Sequence, residues 1–271
     1  MFLIIISPRG GKMKFNYGYC SDIGIEKEIN EDSLLISSAI TSKGRIFLAL
    51  VCDGMGGLSN GELASGTVIK RFSDWFVEDL PIMLKNKFFK LDNLQDPLTR
   101  VLKELNQSIL FYGRHNKINL GTTATGIVVF NNRYLIFHVG DTRIYQINQE
   151  IVQITEDQTW LNDVLKHNTF SKEEAYKDPR KNALLQCIGA SKTVIPDFYY
   201  GEVGNGDLYL ICSDGFRHMV NKDEIFKELI FKSFVSKEEI TNKLQKLVEL
   251  NKKRNETDNI TALAFQCYEE E

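Results

Sequence analysis

The chain has 271 residues, 43% hydrophobic and 25% charged, with a formal net charge of −3. That length can bury roughly three quarters of the unfolded surface around one core. The charge balance excludes a global basic footprint for nucleic acid or anionic membrane, so any phosphate chemistry must be arranged locally.

The chain opens MFLIIISPRGGK, an apolar run too short to span a membrane and without the basic lead of a signal peptide. Met13 directly precedes KFNYGYC, so residues 1–12 are read as an N-terminal extension: an added strand, a disordered tail or a misplaced start. One catalytic domain is expected over 13–268. Arg9-Gly10-Gly11-Lys12 lacks the spacing of a phosphate-binding loop.

Short runs rich in β-branched and aromatic residues follow at 46–52, 124–130, 134–139, 143–147, 207–212 and 260–266. Their lengths and turn-like borders, such as Asn131-Asn132, predict strands, several paired as hairpins. Helical periodicity is expected over 62–80 and 98–112. Asn221 with Glu224, Ser236 with Glu239 and Ser171 with Glu174 have the spacing of capped helix starts. The polar stretch 157–182 reads as a surface insertion. Because strands and helices do not alternate strictly, the pattern predicts an α+β fold with antiparallel sheets.

Five cysteines (Cys20, Cys52, Cys187, Cys212, Cys267) are scattered and never at C-x-x-C spacing. This points to a reducing, cytoplasmic compartment without disulfides or a zinc knuckle.

The carboxylates carry most of the functional information. Predicted strands end in Asp53-Gly54, in Gly140-Asp141 and in Ser213-Asp214-Gly215, while Asp258-Asn259 precedes another. One Asp-Gly at a strand end is most often a turn. Four acids converging at one sheet edge would repel one another unless a cation lay between them. No basic cluster is evident nearby in sequence, so a divalent ion with all-oxygen ligands, Mg²⁺ or Mn²⁺, is the economical answer. Glycine after the acid would let its carbonyl approach the ion.

Seven segments stand in one order: SDIGIEKEINEDS from Ser21, VCDGMGGLSNGELAS from Val51, GTTAT from Gly121, HVGDTRIY from His138, LLQCIG from Leu184, LICSDGF from Leu210, and DNIT from Asp258. That set resembles the protein phosphatase 2C family, the metal-dependent serine/threonine phosphatases, in its bacterial type, from about Phe15 to Cys267. The resemblance implies an αββα sandwich of two antiparallel sheets flanked by helix pairs. It implies hydrolysis of phosphoserine and phosphothreonine by hydroxide at a binuclear Mn²⁺ or Mg²⁺ centre, with room for a third ion.

Carried over, Asp53 would bridge both metals, Gly54 would lend its carbonyl to one, and Asp214 and Asp258 would complete the other. Asp32 would hold metal-bound water, with Glu31 or Asp22 as further candidates, and Asp141 with Asp214 would form the weaker third site. Lys27 stands where relatives carry a phosphate-gripping Arg, which predicts weaker or less oriented binding. Gln158 and Met55 replace potential proton carriers of the family. His138 reads as a satisfied internal histidine, and Trp75 and Trp160 as core and flap packing; 157–182 aligns with the family's mobile flap.

The implied partners are phosphorylated Ser/Thr proteins and a cognate kinase, with neither nucleic acid nor membrane; a monomer is expected. Two alternatives stay open: a catalytically weak, phosphoprotein-binding regulatory module, and a phosphatase specific for the phosphoserine of an anti-sigma-factor antagonist. A purely structural protein would have no reason to line strand ends with acids.

Overall fold

The computed structural model describes residues 3–5, 13–56, 60–231 and 235–269. In chain order its elements are β1 (Leu3–Ile5), β2 (Met13–Asp22), β3 (Ser33–Thr41), β4 (Gly44–Cys52), β5 (Gly54–Gly56), α1 (Gly61–Asp74), α2 (Leu80–Leu84) and α3 (Gln95–Asn116). Then follow β6 (Leu120–Thr122), β7 (Ala124–Phe130), β8 (Arg133–Val139), β9 (Arg143–Ile147), β10 (Ile151–Gln153), α4 (Trp160–Lys166) and α5 (Lys172–Lys177). The last are β11 (Asp197–Glu202), β12 (Leu208–Cys212), α6 (Lys222–Leu229), α7 (Lys237–Lys253) and β13 (Ile260–Glu269).

Strand β4 shows why two sheets form. Its sequence GRIFLALVC is apolar on both faces: Ile46, Leu48, Leu50 and Cys52 pack with residues of α1 and α3, and Phe47, Ala49 and Val51 with the other sheet. A strand buried on both sides reads as a continuous apolar run. One sheet has the order β1-β3-β4-β7-β8-β11, the other β10-β9-β12-β13-β2, and β5 pairs with β6 in a small ribbon. All pairings are antiparallel except β1 beside β3. Between the sheets, Phe47 stacks on Phe15 at 4.6 Å and meets Phe265 at 4.7 Å, and Tyr209 stacks on Phe265 at 5.2 Å. A third cluster joins Leu210, Cys212, Ala262 and Ala264 to α6 and α7 through Ile225, Ile240, Leu244 and Val248. The layers are therefore helix, sheet, sheet, helix.

The expected helix over 62–80 is α1 continued through a π turn, Trp75–Asp79, into α2. Pro81 has no N–H for the carbonyl of Val77, and Leu80 N–H instead reaches back to Trp75. Trp75 is buried against Phe72. Among the described residues, no helix is long and apolar enough to cross a membrane.

Candidate active site

The topology brings the four acids together. Asp53 follows β4 and Asp141 follows β8 in the six-stranded sheet; Asp214 follows β12 and Asp258 precedes β13 in the five-stranded sheet. All four line one cleft of about 400 Å³, with Lys27, Glu31, Gly54, Met55, Asn182 and Leu184.

Main-chain bonds hold these strand ends still. Asp53 N–H donates to Thr123 Oγ1 at 2.9 Å, and the Asp53 carbonyl accepts from Thr122 Oγ1 and Thr123 N–H, each at 2.9 Å. Thr123 shares a 2.7 Å hydroxyl bond with Thr142, next to Asp141. The GTTAT and GDT segments thus tie two acids into one unit. Asn259 Oδ1 accepts from Glu31 N–H, and its Nδ2 donates to the carbonyls of Ile23 and Ile29. That fixes both ends of the loop that carries Lys27. Glu256 Oε1 accepts from Asp258 N–H at 3.0 Å.

Gly54 has a more specific reason than openness to an ion. A Cβ there would collide with the carbonyl oxygens of Glu31 and Gly61, so the ribbon could not pack against the start of α1. Glu31 accepts from Gly61 N–H at 2.8 Å.

The cleft's charges are concentrated and only partly balanced. Withdrawal from water, then the charges of Asp214, Asp32, Asp141 and Asp258, push the Asp53 carboxyl well above its ordinary range. Burial lifts Asp32 to about 7 despite hydrogen bonds from Thr261 and Ser213. Burial and the Asp214 charge lift Asp141 to about 6, with Arg217 opposing. Asp214 goes the other way: burial is outweighed by His218, Arg217 and a hydrogen bond with Asp53, which together hold it at about 2.

Protein cations sit on three of these acids. Lys27 Nζ lies 2.9 Å from Asp258 and 3.9 Å from Glu31. His218 bridges Asp214 and Glu256 at 3.3 Å each. Arg217 Nη2 lies 3.2 Å from Asp141 Oδ2. Arg217 and His218 correct the expectation that no basic cluster lies nearby in sequence, since both were visible in SDGFRH, one turn beyond Asp214. Among the described residues, no three His, Cys, Asp or Glu side chains are gathered closely enough to hold an ion as they stand. The donors are nonetheless all oxygen and mutually repulsive, which is the chemistry a hard divalent cation relieves.

The remaining candidates fall away from the cleft. Asp22 accepts from Gly24 N–H and pairs with Lys252 at 3.0 Å, a turn rather than a site. Gln158 is a clamp: it accepts from Gly140 N–H and donates to Asp197, both at 2.8 Å. His138 is fully buried between Thr125 and the Glu156 carbonyl. Trp160 packs on Phe170 and under Arg180.

Two antiparallel sheets between helix pairs, with an acid-lined cleft where both sheets end, define a sandwich phosphatase. The family described as protein phosphatase 2C matches residues 25–250. The chain belongs to that family and is a protein serine/threonine phosphatase of its bacterial type. The serine/threonine phosphatase Stp of Listeria innocua is 29% identical over 249 residues, covering 91% of this chain and 93% of that protein. Serine/threonine phosphatase Stp1 from Staphylococcus aureus superposes with a TM-score of 0.79 at 26% identity, covering 96% of this chain and 99% of that one. The catalytic domain of the phosphatase PstP, solved in complex with two manganese ions, superposes with a TM-score of 0.73 at 25% identity, covering 95% and 100%.

Proposed function

We propose that this phosphatase hydrolyses phosphoserine and phosphothreonine in proteins, using two divalent ions, Mn²⁺ or Mg²⁺, in the cleft. One observation carries the reading: Asp53, Asp141, Asp214 and Asp258 reach one cleft from four strand ends of two sheets. Asp53 would bridge the ions, with the Gly54 carbonyl, Asp214 and Asp258 completing their protein ligands. Divalent ions held by these residues would supply a more acidic water and neutralisation of the phosphoryl oxygens, so that no protein nucleophile would be needed.

The chain's own groups do the rest. Thr122 and Thr123 keep the Asp53 backbone from shifting as charge develops. Lys27 turns from Asp258 to the substrate phosphate, a single positive point where an arginine would offer a planar fork. Asp32, behind Asp53 with Ser213 Oγ on one oxygen at 2.9 Å, would orient the attacking water. Asn182, at the end of the flap segment 157–182, and Leu184 just beyond it wall the cleft where a phosphopeptide would enter.

We take 13–268 as the catalytic domain, residues 1–12 as an extension, and the enzyme as a monomer acting opposite a cognate Ser/Thr kinase. All five cysteines are buried and free, in keeping with a reducing cytoplasm.

The test is hydrolysis of a phosphothreonine peptide across a Mn²⁺ titration. Turnover should rise with Mn²⁺, vanish with chelator, and fall at least a hundredfold in Asp214→Asn. Turnover indifferent to chelator would refute the reading.

A further inference from the structure

We propose that Arg217 is a built-in counter-cation that holds the ground beside Asp141 against a third ion. The chain then takes up two divalent ions and gains a third only when Arg217 is removed. This rests on the two-ion reading above and concerns the same cleft.

The placement is specific. Arg217 Nη2 lies 3.2 Å from Asp141 Oδ2 and 3.1 Å from the Asp141 carbonyl oxygen. It thus covers both a side-chain and a main-chain oxygen that an ion at Asp141 would use. Both side chains are only 12% exposed. The stem of Arg217 is fixed as well, because its N–H donates to the Asp214 carbonyl at 2.9 Å in the short turn Asp214–Phe216. Its Nε is buried with no hydrogen-bond partner.

Asp157 does not draw the guanidinium away. It lies 3.7 Å from Arg217 but is already held by Arg143 through bonds of 2.8 and 2.6 Å. On this side of the cleft, Asp141, Asp157 and Asp214 therefore face Arg143 and Arg217, with His218 also on Asp214. The other side differs. There Asp53, Asp258 and Glu31 face Lys27, whose side chain is 38% exposed and free to swing outward.

An ion entering at Asp53 and Asp258 can displace Lys27. One entering at Asp141 would meet a fixed positive charge at hydrogen-bond distance from the oxygens it needs, in a cleft of low effective dielectric.

The test counts Mn²⁺ bound per chain, from the electron paramagnetic resonance signal of free Mn²⁺ at equilibrium, with the full chain and without substrate. Wild type should bind two ions, Arg217→Gln three, and Arg217→Gln with Asp141→Asn two again. Asp141→Asn alone should leave the count at two, and that variant decides the matter if Arg217→Gln does not fold. Three ions on wild type, two on folded Arg217→Gln, or an ion lost in Asp141→Asn would each overturn the role of Arg217. Wild type that binds no ion would sink the two-ion reading along with it.

Discussion

Lys27 serves two masters in the cleft. Burial works against its charge, but the Asp258 bond, then Asp258 and Glu31 as charges, raise its pKa above the usual lysine value, so it remains an ammonium. While bound to Asp258 it competes with any cation for that carboxylate. Lys27→Ala should therefore split its effects: KM for a phosphopeptide rises on the order of tenfold, the worth of one charge-assisted bond, while the Mn²⁺ concentration for half-maximal activity falls. Lys27→Arg should lower KM through its bidentate fork. Unchanged KM in both variants would remove Lys27 from the substrate site. At this scale the acids were legible because each ends or opens a strand next to a glycine or a short polar residue. Arg217 stood in view just beyond Asp214, but its pairing with Asp141 did not, because that acid lies 76 residues away in sequence and the pairing of β9 with β12 brings the two ends together.

Elements were legible where local chemistry is self-sufficient. Asn221 Oδ1 accepts from Glu224 N–H and Glu224 returns the bond to Asn221 N–H, both at 3.0 Å, the reciprocal box its spacing predicts. Ser171 with Glu174 does the same, while Ser236 accepts from Glu239 N–H. Glu224 also grips Arg254, beyond the end of α7, through two bonds, so one cap locks two helices of the outer layer. Asn221→Ala should lower stability by about 1 kcal/mol, read as a lower urea midpoint at unchanged m-value; an unmoved midpoint would mean the Arg254 bonds alone hold the helix start. Strands β2 and β3 were not predicted. Gly18 interrupts β2, yet a Cβ there would press on Thr241 N and Oγ1 at 2.7 Å, so it is kept by α7 packing from above. β3 is half-buried throughout and centred on Ser37-Ser38, so its pattern declares no face. The π turn before Pro81 belongs to the same class, a local break that tertiary packing tolerates.

For the molecule as a whole, the sandwich follows from strands that are apolar on both faces and helices that are apolar on one; the residue pattern alone predicted an α+β fold with antiparallel sheets, and the layer order came from the family resemblance. What sequence could not supply was how loops at one end are stitched to both sheets, and His138 is one such stitch. It lies in β8, with Nδ1 2.8 Å from Thr125 Oγ1 in β7 and Nε2 2.9 Å from the Glu156 carbonyl, on the loop leading to Asp157. A carbonyl only accepts, so Nε2 carries the hydrogen and Nδ1 receives the threonine hydroxyl. Burial lowers the His138 pKa from its ordinary value near 6.5, outweighing the Glu156 carbonyl and the charges of Asp197 and Asp157. The unfolded chain therefore takes up this proton at a higher pH than the folded one. Its contribution is complete above pH about 6.5 and is lost as pH falls from there toward the folded value, by up to about 1.4 kcal/mol per pH unit within that window. The cleft carboxyls with raised pKa act in the opposite sense, so the informative quantity is a difference between variants. Between pH 7.5 and 5.5, wild type should lose more unfolding free energy than His138→Gln, which keeps polar atoms near both partners without a titrating ring. Equal losses in the two proteins would show that the ring titrates alike in the folded and unfolded chain, and a smaller loss in wild type that the Glu156 loop is held by a charged stitch rather than a neutral one.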